Sequence, residues 1–302
     1  MGLEILNPVH PKNPASVASE KNPTPAKENK DTFHEGAEYV YLPSKGVFYT
    51  GEFNGLDKLK VRRLDWTDED ILTTPSFWED GSVFLELLKN CIVDENGFKA
   101  ESLVPVDRDT ILLWLRSTSL GNNFEISYYC PVCNKGGGSK TKDEPGKMVW
   151  KINELEIPVY ETLTYEELKN HGEITLTLIN NKDIKVKIST PSLGKTLKLE
   201  KDFQKKTEKG ESNKKKYSSS TLLAVTNGVE VDGKVIRNKT EIEAYFKSLP
   251  LSILDSRYII KVASELNIKY NTAQTFKCKD CGHTEEGVEL PILHKNFFWP
   301  EL

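Results

Sequence analysis

The sequence predicts an α+β protein: an extended N-terminal arm, a small helical module, and a second module closed by paired cysteines and interrupted by inserted hairpins and helices. Three observations carry this. Two helical apolar patterns fall between residues 81 and 122, strand-like alternation dominates beyond them, and two CxxC pairs are separated by the 144 residues between Cys133 and Cys278. A chain of 302 residues suffices for about two domains. With 37% hydrophobic and 28% charged residues and a net charge of −4, the composition is that of a soluble globular chain. No run approaches the ~20 apolar residues of a membrane span. The N-terminus lacks the basic start and apolar core of a secretory signal, and Leu6 stands where a myristoylation motif wants Ser or Thr. Near-neutral charge argues against a protein that binds nucleic acid along its whole surface.

Residues 1–37 are rich in Pro, Asn, Lys and Ser, so they bury too little to offset their ordering entropy and form the expected extended or disordered arm. Glu38–Phe53 reads as extended, with breaks at Pro43 and Gly46. Lys58–Leu64 alternates like a half-buried strand, and Thr67-Asp68-Glu69-Asp70 resembles a helix start. Val83, Phe84, Leu87, Leu88, Cys91 and Ile92 recur on one helical face. Pro105, Asp107 and Asp109 precede Thr110–Arg116, whose consecutive apolar residues predict a helix buried nearly all round and ended by Gly121. Residues 38–122 are therefore expected as one mainly helical domain.

The second domain is expected over 123–302, closed by knuckles at 130–133 and 278–281, with an insertion at 151–270. Met148–Trp150 is a short strand and Thr164–Asn170 a capped helical turn. Ile174–Ile179 and Ile184–Ile188 flank Asn180–Asp183 as a hairpin, and Val229–Ile236 forms another, with Asp232-Gly233 fitting a type I′ turn. Residues 191–216 read as a long charged helix or a flexible excursion, nine lysines standing against Glu200, Asp202, Glu208 and Glu211. Thr240–Glu243 fits a capping box, opening a helix with Ile242, Tyr245, Phe246 and Leu249 inward, stopped by Pro250. A further helix over about 252–266 puts Ile259, Val262, Ala263 and Leu266 on one face.

Cys130, Cys133, Cys278 and Cys281 carry the chemistry. Each CxxC knuckle can turn two thiolates toward one tetrahedral ion, so together they predict one structural Zn2+ per chain and a zinc-ribbon-like module. The competing reading is a pair of knuckles that fold without metal. A redox role is disfavoured because neither pair opens a helix after a core strand. His283 could replace a cysteine ligand, although two residues past Cys281 it more often points outward. Cys91 is expected as an inert core thiol. The five histidines are scattered without HExxH spacing, and there is no P-loop, GxGxxG or GxSxG. Gly136-Gly137-Gly138 lacks the lysine and helix of a phosphate cradle. Nothing in these residues asks for an enzyme. Phe297, Phe298 and Trp299 either fold into the core or anchor in a partner's groove, which makes them candidate partner-binding residues.

Leu42-Pro43-Ser44-Lys45-Gly46, Asp107-Arg108 leading to Leu113–Arg116 and Gly121, the two CxxC pairs with Gly282-His283, and the closing Asn296–Pro300 follow in an order that resembles the baseplate protein family of contractile-tailed, T-even-like bacteriophages, associated with the baseplate hub and its assembly. The similarity runs from about residue 38 to the end. It implies a non-enzymatic structural part of the virion's tail, made in the host cytoplasm. Its partners would be other baseplate and tail proteins in a symmetric, multi-copy assembly. Two alternatives stand beside it: a zinc-ribbon nucleic-acid-binding factor using the lysines of 195–216, and an assembly chaperone absent from the mature virion.

Overall fold

Chain segments 36–93, 96–134, 146–208, 214–249 and 251–298 are described by the computed structural model. They belong to one unit, Glu35–Leu302. The expected arm, apart from Gly36 and Ala37, lies outside them, as do Trp299 and the triple glycine at 136–138.

Strands β1 (Glu38–Tyr41) and β2 (Lys58–Val61) pair antiparallel, with Val40 opposite Leu59 and both buried. The extended run expected to Phe53 stops at Tyr41. Residues 43–48 instead coil into tight turns in which Lys45 and Gly46 both take left-handed backbone, φ 48° and 68°. A Cβ on Gly46 would lie 2.2 Å from the backbone nitrogen of Leu56, so only glycine lets the chain cross itself here.

Three helices follow: α1 (Asp68–Thr73), α2 (Pro75–Glu79) and α3 (Val83–Cys91), the last burying the face its periodicity predicts. Helix α4 (Pro105–Leu120) begins at a proline, whose missing N–H costs nothing in the first turn. Val106, Ile111, Leu112, Leu113 and Leu115 are all buried along it.

After α4 come the ribbon β3 (Asn123–Tyr128) with β4 (Gly146–Lys151), helix α5 (Thr162–His171), and the hairpin β5 (Ile174–Thr177) with β6 (Lys185–Ile188). The lysine-rich stretch is helical within the described residues: α6 (Leu193–Glu208) and α7 (Lys214–Val225). Strands β7 (Thr226–Val231) and β8 (Lys234–Ile236) complete an antiparallel sheet of order β5-β6-β7-β8. Asp232 and Gly233 between them both have positive φ, 49° and 74°, as a type I′ turn demands.

Helices α8 (Lys239–Ser248) and α9 (Ile253–Glu265) come next, then the ribbon β9 (Gln274–Lys277) with β10 (Thr284–Val288), and α10 (Lys295–Phe298). Helix α8 starts two residues before the expected capping box. The Asn238 side chain accepts N–H bonds from Thr240 and Glu241 at 2.9 and 3.4 Å, so Asn238 is the cap. The helix accordingly ends at Ser248, and Leu249, expected inward, is 43% exposed.

Two hydrophobic clusters hold the unit together. The first joins β1, β2, α3 and α4 to both ribbons and to α10. On either side of residue 122, Phe124 and Trp150 of the first ribbon sit in the same cluster as Leu112 and Leu115. The second cluster gathers α5, the four-stranded sheet, α7, α8 and α9, all within the expected insertion. The insertion does not stand alone, because Leu193 and Leu197 of α6 join the first core while Val47, from the turn at 43–48, joins the second. At the stem of the insertion the Trp150 indole N–H donates to the Thr272 carbonyl at 2.7 Å, holding the outgoing and returning chain side by side.

Of the closing aromatics, Phe297 and Phe298 are among the described residues. Phe297 and Phe298 are 0% and 2% exposed. Phe297 packs on Phe124 with ring centroids 5.2 Å apart and Phe298 on Phe84 at 6.1 Å. In this chain both rings are buried, the core placement being one of the two that the sequence offered for them.

Two buried polar clusters fix the first core. The Asp107 carboxylate, in the first turn of α4, accepts the Ser44 N–H at 3.0 Å, the Ser44 hydroxyl at 2.5 Å and the Tyr49 hydroxyl. Burial pushes the Asp107 carboxyl up, partly offset by those donors, and it pushes the Tyr49 hydroxyl up as well. Arg62 reaches Asp68 with two parallel bonds of 2.8 and 2.9 Å, and Asn90 adds a third at 2.7 Å. Cys91 is fully buried beside this pair, its thiol pushed up first by burial and then by the Asp68 charge.

Candidate metal centre

The two ribbons meet where their knuckles do. In the first, Cys130-Pro131-Val132-Cys133 turns back through Asn134, whose N–H donates to the Cys130 carbonyl at 2.8 Å and whose φ is 55°. In the second, Gly282 occupies the same place after Cys281: its N–H reaches the Cys278 carbonyl at 3.1 Å with φ 74°. Each knuckle needs one left-handed residue, which glycine supplies freely and asparagine tolerates better than most. The second turn is also pinned by the Cys278 N–H donating to the His283 carbonyl at 2.8 Å.

All four sulfur atoms lie within 4.8 Å of one another. Cys130 Sγ is 3.6 Å from Cys281 Sγ, and Cys133 Sγ is 3.6 Å from Cys278 Sγ, so each contact crosses from one knuckle to the other. A disulfide requires about 2.05 Å. Four sulfurs each about 2.3 Å from a central tetrahedral ion stand about 3.8 Å apart, so the donor set fits a thiolate-bound metal. Cys130 and Cys278 are buried, Cys133 is half-buried and Cys281 is exposed. These four residues are the ones the sequence singles out.

The backbone N–H of Cys281, helped by that of Asp280 and by neighbouring thiols, holds the Cys278 thiol down at about 7 against the effect of burial. The His283 N–H favours thiolate at Cys281 too, but burial and the Cys278 and Cys130 sulfurs outweigh it and push that thiol up. Cys130, Cys133, Cys278 and Cys281 would hold an ion as thiolates, and its charge would favour loss of their protons.

Two contacts that sequence reasoning missed brace the knuckles from outside. The Tyr128 hydroxyl donates to Glu285 at 2.5 Å, joining β3 to β10, and this bond pushes the phenol up to about 12. The Tyr128 and Phe276 rings stack across the ribbons with centroids 4.6 Å apart. The aromatic flanks of each CxxC were visible in the sequence, but nothing in it paired Tyr128 with Glu285.

Part of the lysine-rich segment lies among the described residues. Lys201 is bonded to Asp80 at 2.9 Å, tying α6 to the end of α2, and burial lowers the Lys195 ammonium. The side chains of 202–219 lie outside the described residues.

Among the described residues no helix is long and apolar enough to cross a membrane. A mixed α+β chain whose distant segments converge on four cysteines, and whose conspicuous buried polar groups are spent on internal clamps, has the make-up of a structural protein. The family model described as "T4 bacteriophage base plate protein" matches residues 58–299, and the chain belongs to that family, the baseplate proteins of T4-like phages. Membership implies a place in the virion tail and contact with other baseplate proteins. Leu42–Gly46, one of the motifs carrying the resemblance, lies just upstream of the matched stretch. No curated protein and no solved structure matches the chain.

Proposed function

We propose that the chain is a non-enzymatic structural component of the tail baseplate, in or next to the hub, built in repeated copies by protein–protein contacts and clamped by one structural zinc. It is made in the host cytoplasm and retained in the virion. The observation that carries this reading is the convergence of Cys130, Cys133, Cys278 and Cys281 in a chain of the baseplate family. Four thiolates fill a tetrahedral shell and leave no position for a reacting water, so the metal would serve architecture. It would join two strand ribbons whose cysteine pairs have 144 residues between them in sequence, making metal binding part of folding.

Elemental mass spectrometry of the purified chain, with Cys130→Ser and Cys278→Ser alongside, tests the centre. About one zinc per chain, lost in both variants together with cooperative unfolding, is the expected result. No zinc, or partial sites lost independently, would refute the shared clamp. Protein composition of purified virions tests the placement: a chain present during assembly and missing from finished particles is a chaperone and not a component.

A further inference from the structure

Between the first ribbon and α5 the chain runs as an exposed strap. Ile157 and Val159 are 63% and 75% exposed, and Leu163, at the start of α5, is 86% exposed. Pro158 and Tyr160 between and beside them are half-buried, and Tyr160 donates its hydroxyl to the Leu266 carbonyl at 2.9 Å and packs on Phe48 with centroids 5.9 Å apart. Pro158 biases Ile157 to extended backbone, and Leu155 and Glu161 at the two ends have ψ of 130° and 147°. From Glu156 to Tyr160 no backbone group has a backbone hydrogen bond among the described residues. The segment is thus anchored, extended, apolar on its outer face and unpaired along its main chain. These are the properties of a strand offered for pairing, and an exposed apolar strand of this kind is ordinarily blunted or covered.

Charge says what kind of surface covers it. Glu154, Glu156 and Glu161 surround the apolar residues and are exposed, as are Glu166 and Glu167 one helical turn on. Lys151 and Lys169, at the two ends, are engaged with Glu154 and Glu166. An acidic surround admits a basic partner and repels an acidic one.

We propose that residues 156–163 form a docking strap that seats in an apolar groove rimmed by Lys or Arg side chains on a different protein of the tail. Ile157, Val159 and Leu163 fill the groove, the unpaired backbone bonds to its edge, and the carboxylates set its orientation. The proposal uses family membership and not the metal, so a chain without zinc leaves it standing.

The test supplies the full-length chain, with the photo-cross-linking residue p-benzoylphenylalanine in place of Leu163, to cells infected by phage lacking their own copy. Irradiated tail assemblies are then digested and the joined peptides sequenced by mass spectrometry. The expected partner peptide comes from another tail protein and combines apolar residues with Lys or Arg. Ile157→Ser with Val159→Ser, and separately Glu156→Lys with Glu161→Lys, should each cut the cross-link at least tenfold without moving the unfolding midpoint of the purified chain. A cross-link to a second copy of this chain, to an acidic peptide, or to nothing in assemblies containing the chain would overturn the proposal. Unchanged cross-linking in either double variant would overturn it as well.

Discussion

Replacing Asp107 by Ala should be among the most destabilising single changes in the protein. The carboxylate takes the Ser44 N–H, the Ser44 hydroxyl and the Tyr49 hydroxyl, at a point where Asp107 and Ser44 are fully buried and Tyr49 nearly so. An alanine leaves those donors facing apolar walls. Each buried donor left without an acceptor costs about 1–3 kcal/mol, and some of that is returned because no charge need be desolvated. A net loss of about 3–6 kcal/mol follows, a large share of the roughly 5–15 kcal/mol that holds a typical domain folded. Asp107→Asn keeps the shape and one acceptor oxygen and should lose only about 1–2 kcal/mol.

Urea unfolding followed by tryptophan fluorescence reads both variants, with the midpoint shifting and the slope unchanged. Tyr49→Phe, alone and combined with Asp107→Ala, closes a double-mutant cycle whose coupling should exceed about 1 kcal/mol. The reasoning fails if Asp107→Ala stays within about 1 kcal/mol of the parent, or if the cycle shows no coupling. Acid will not mimic the alanine. The folded carboxyl sits above its usual range because of burial, so its contribution is fullest below the unfolded value and weakens as pH rises through the folded one.

Arg62→Ala should cost about 3–5 kcal/mol in the same urea assay, because Asp68 would remain buried without its bidentate partner. A loss below about 1 kcal/mol would mean that Asn90 and the backbone already satisfy Asp68. Asp80 runs opposite to Asp107: the Ser82 hydroxyl and then Lys201 hold it down at about 2. Its contribution is therefore present above about pH 4 and lost as pH falls toward 2, and Asp80→Asn should flatten that limb of the stability curve. Chelation of bound metal should lower the unfolding midpoint of the parent and leave that of Cys133→Ser unmoved. Equal midpoints for the chelated and untreated parent would separate the sulfur cluster from stability.

Much of this was legible residue by residue, and the pattern of success is physical. Helix α3 and the buried α4 follow from apolar spacing, and the β7–β8 turn follows from Asp232-Gly233, because each is fixed by neighbours within a few positions. The four cysteines were legible because thiolate chemistry advertises itself in a spacing. The Asp107 clamp was not: its partners lie 63 and 58 residues away and no local period marks them. Asp255 was missed for the same reason. It is buried at the start of α9, where it accepts the Ile179 and Asn180 N–H groups from the β5–β6 turn at 2.8 and 3.1 Å. The terminal aromatics showed that something would be buried without showing where, since a phenylalanine fits a core and a partner's groove equally well.

The Trp150–Thr272 bond also has a mechanical meaning. Both ends of the inserted segment enter the body of the protein through adjoining strands, each the continuation of a ribbon that bears one CxxC knuckle. A pull on the insertion would reach the body along the two ribbons toward the four sulfurs and, in parallel, through α6, where Leu193 and Leu197 sit in the first core and Lys201 meets Asp80. Pairs such as Tyr128–Glu285 and the Trp150 link lie along the first of these routes and share the tension before it reaches the cysteines. The insertion is thus secured twice, once along the ribbons that carry the cysteines and once where α6 enters the first core.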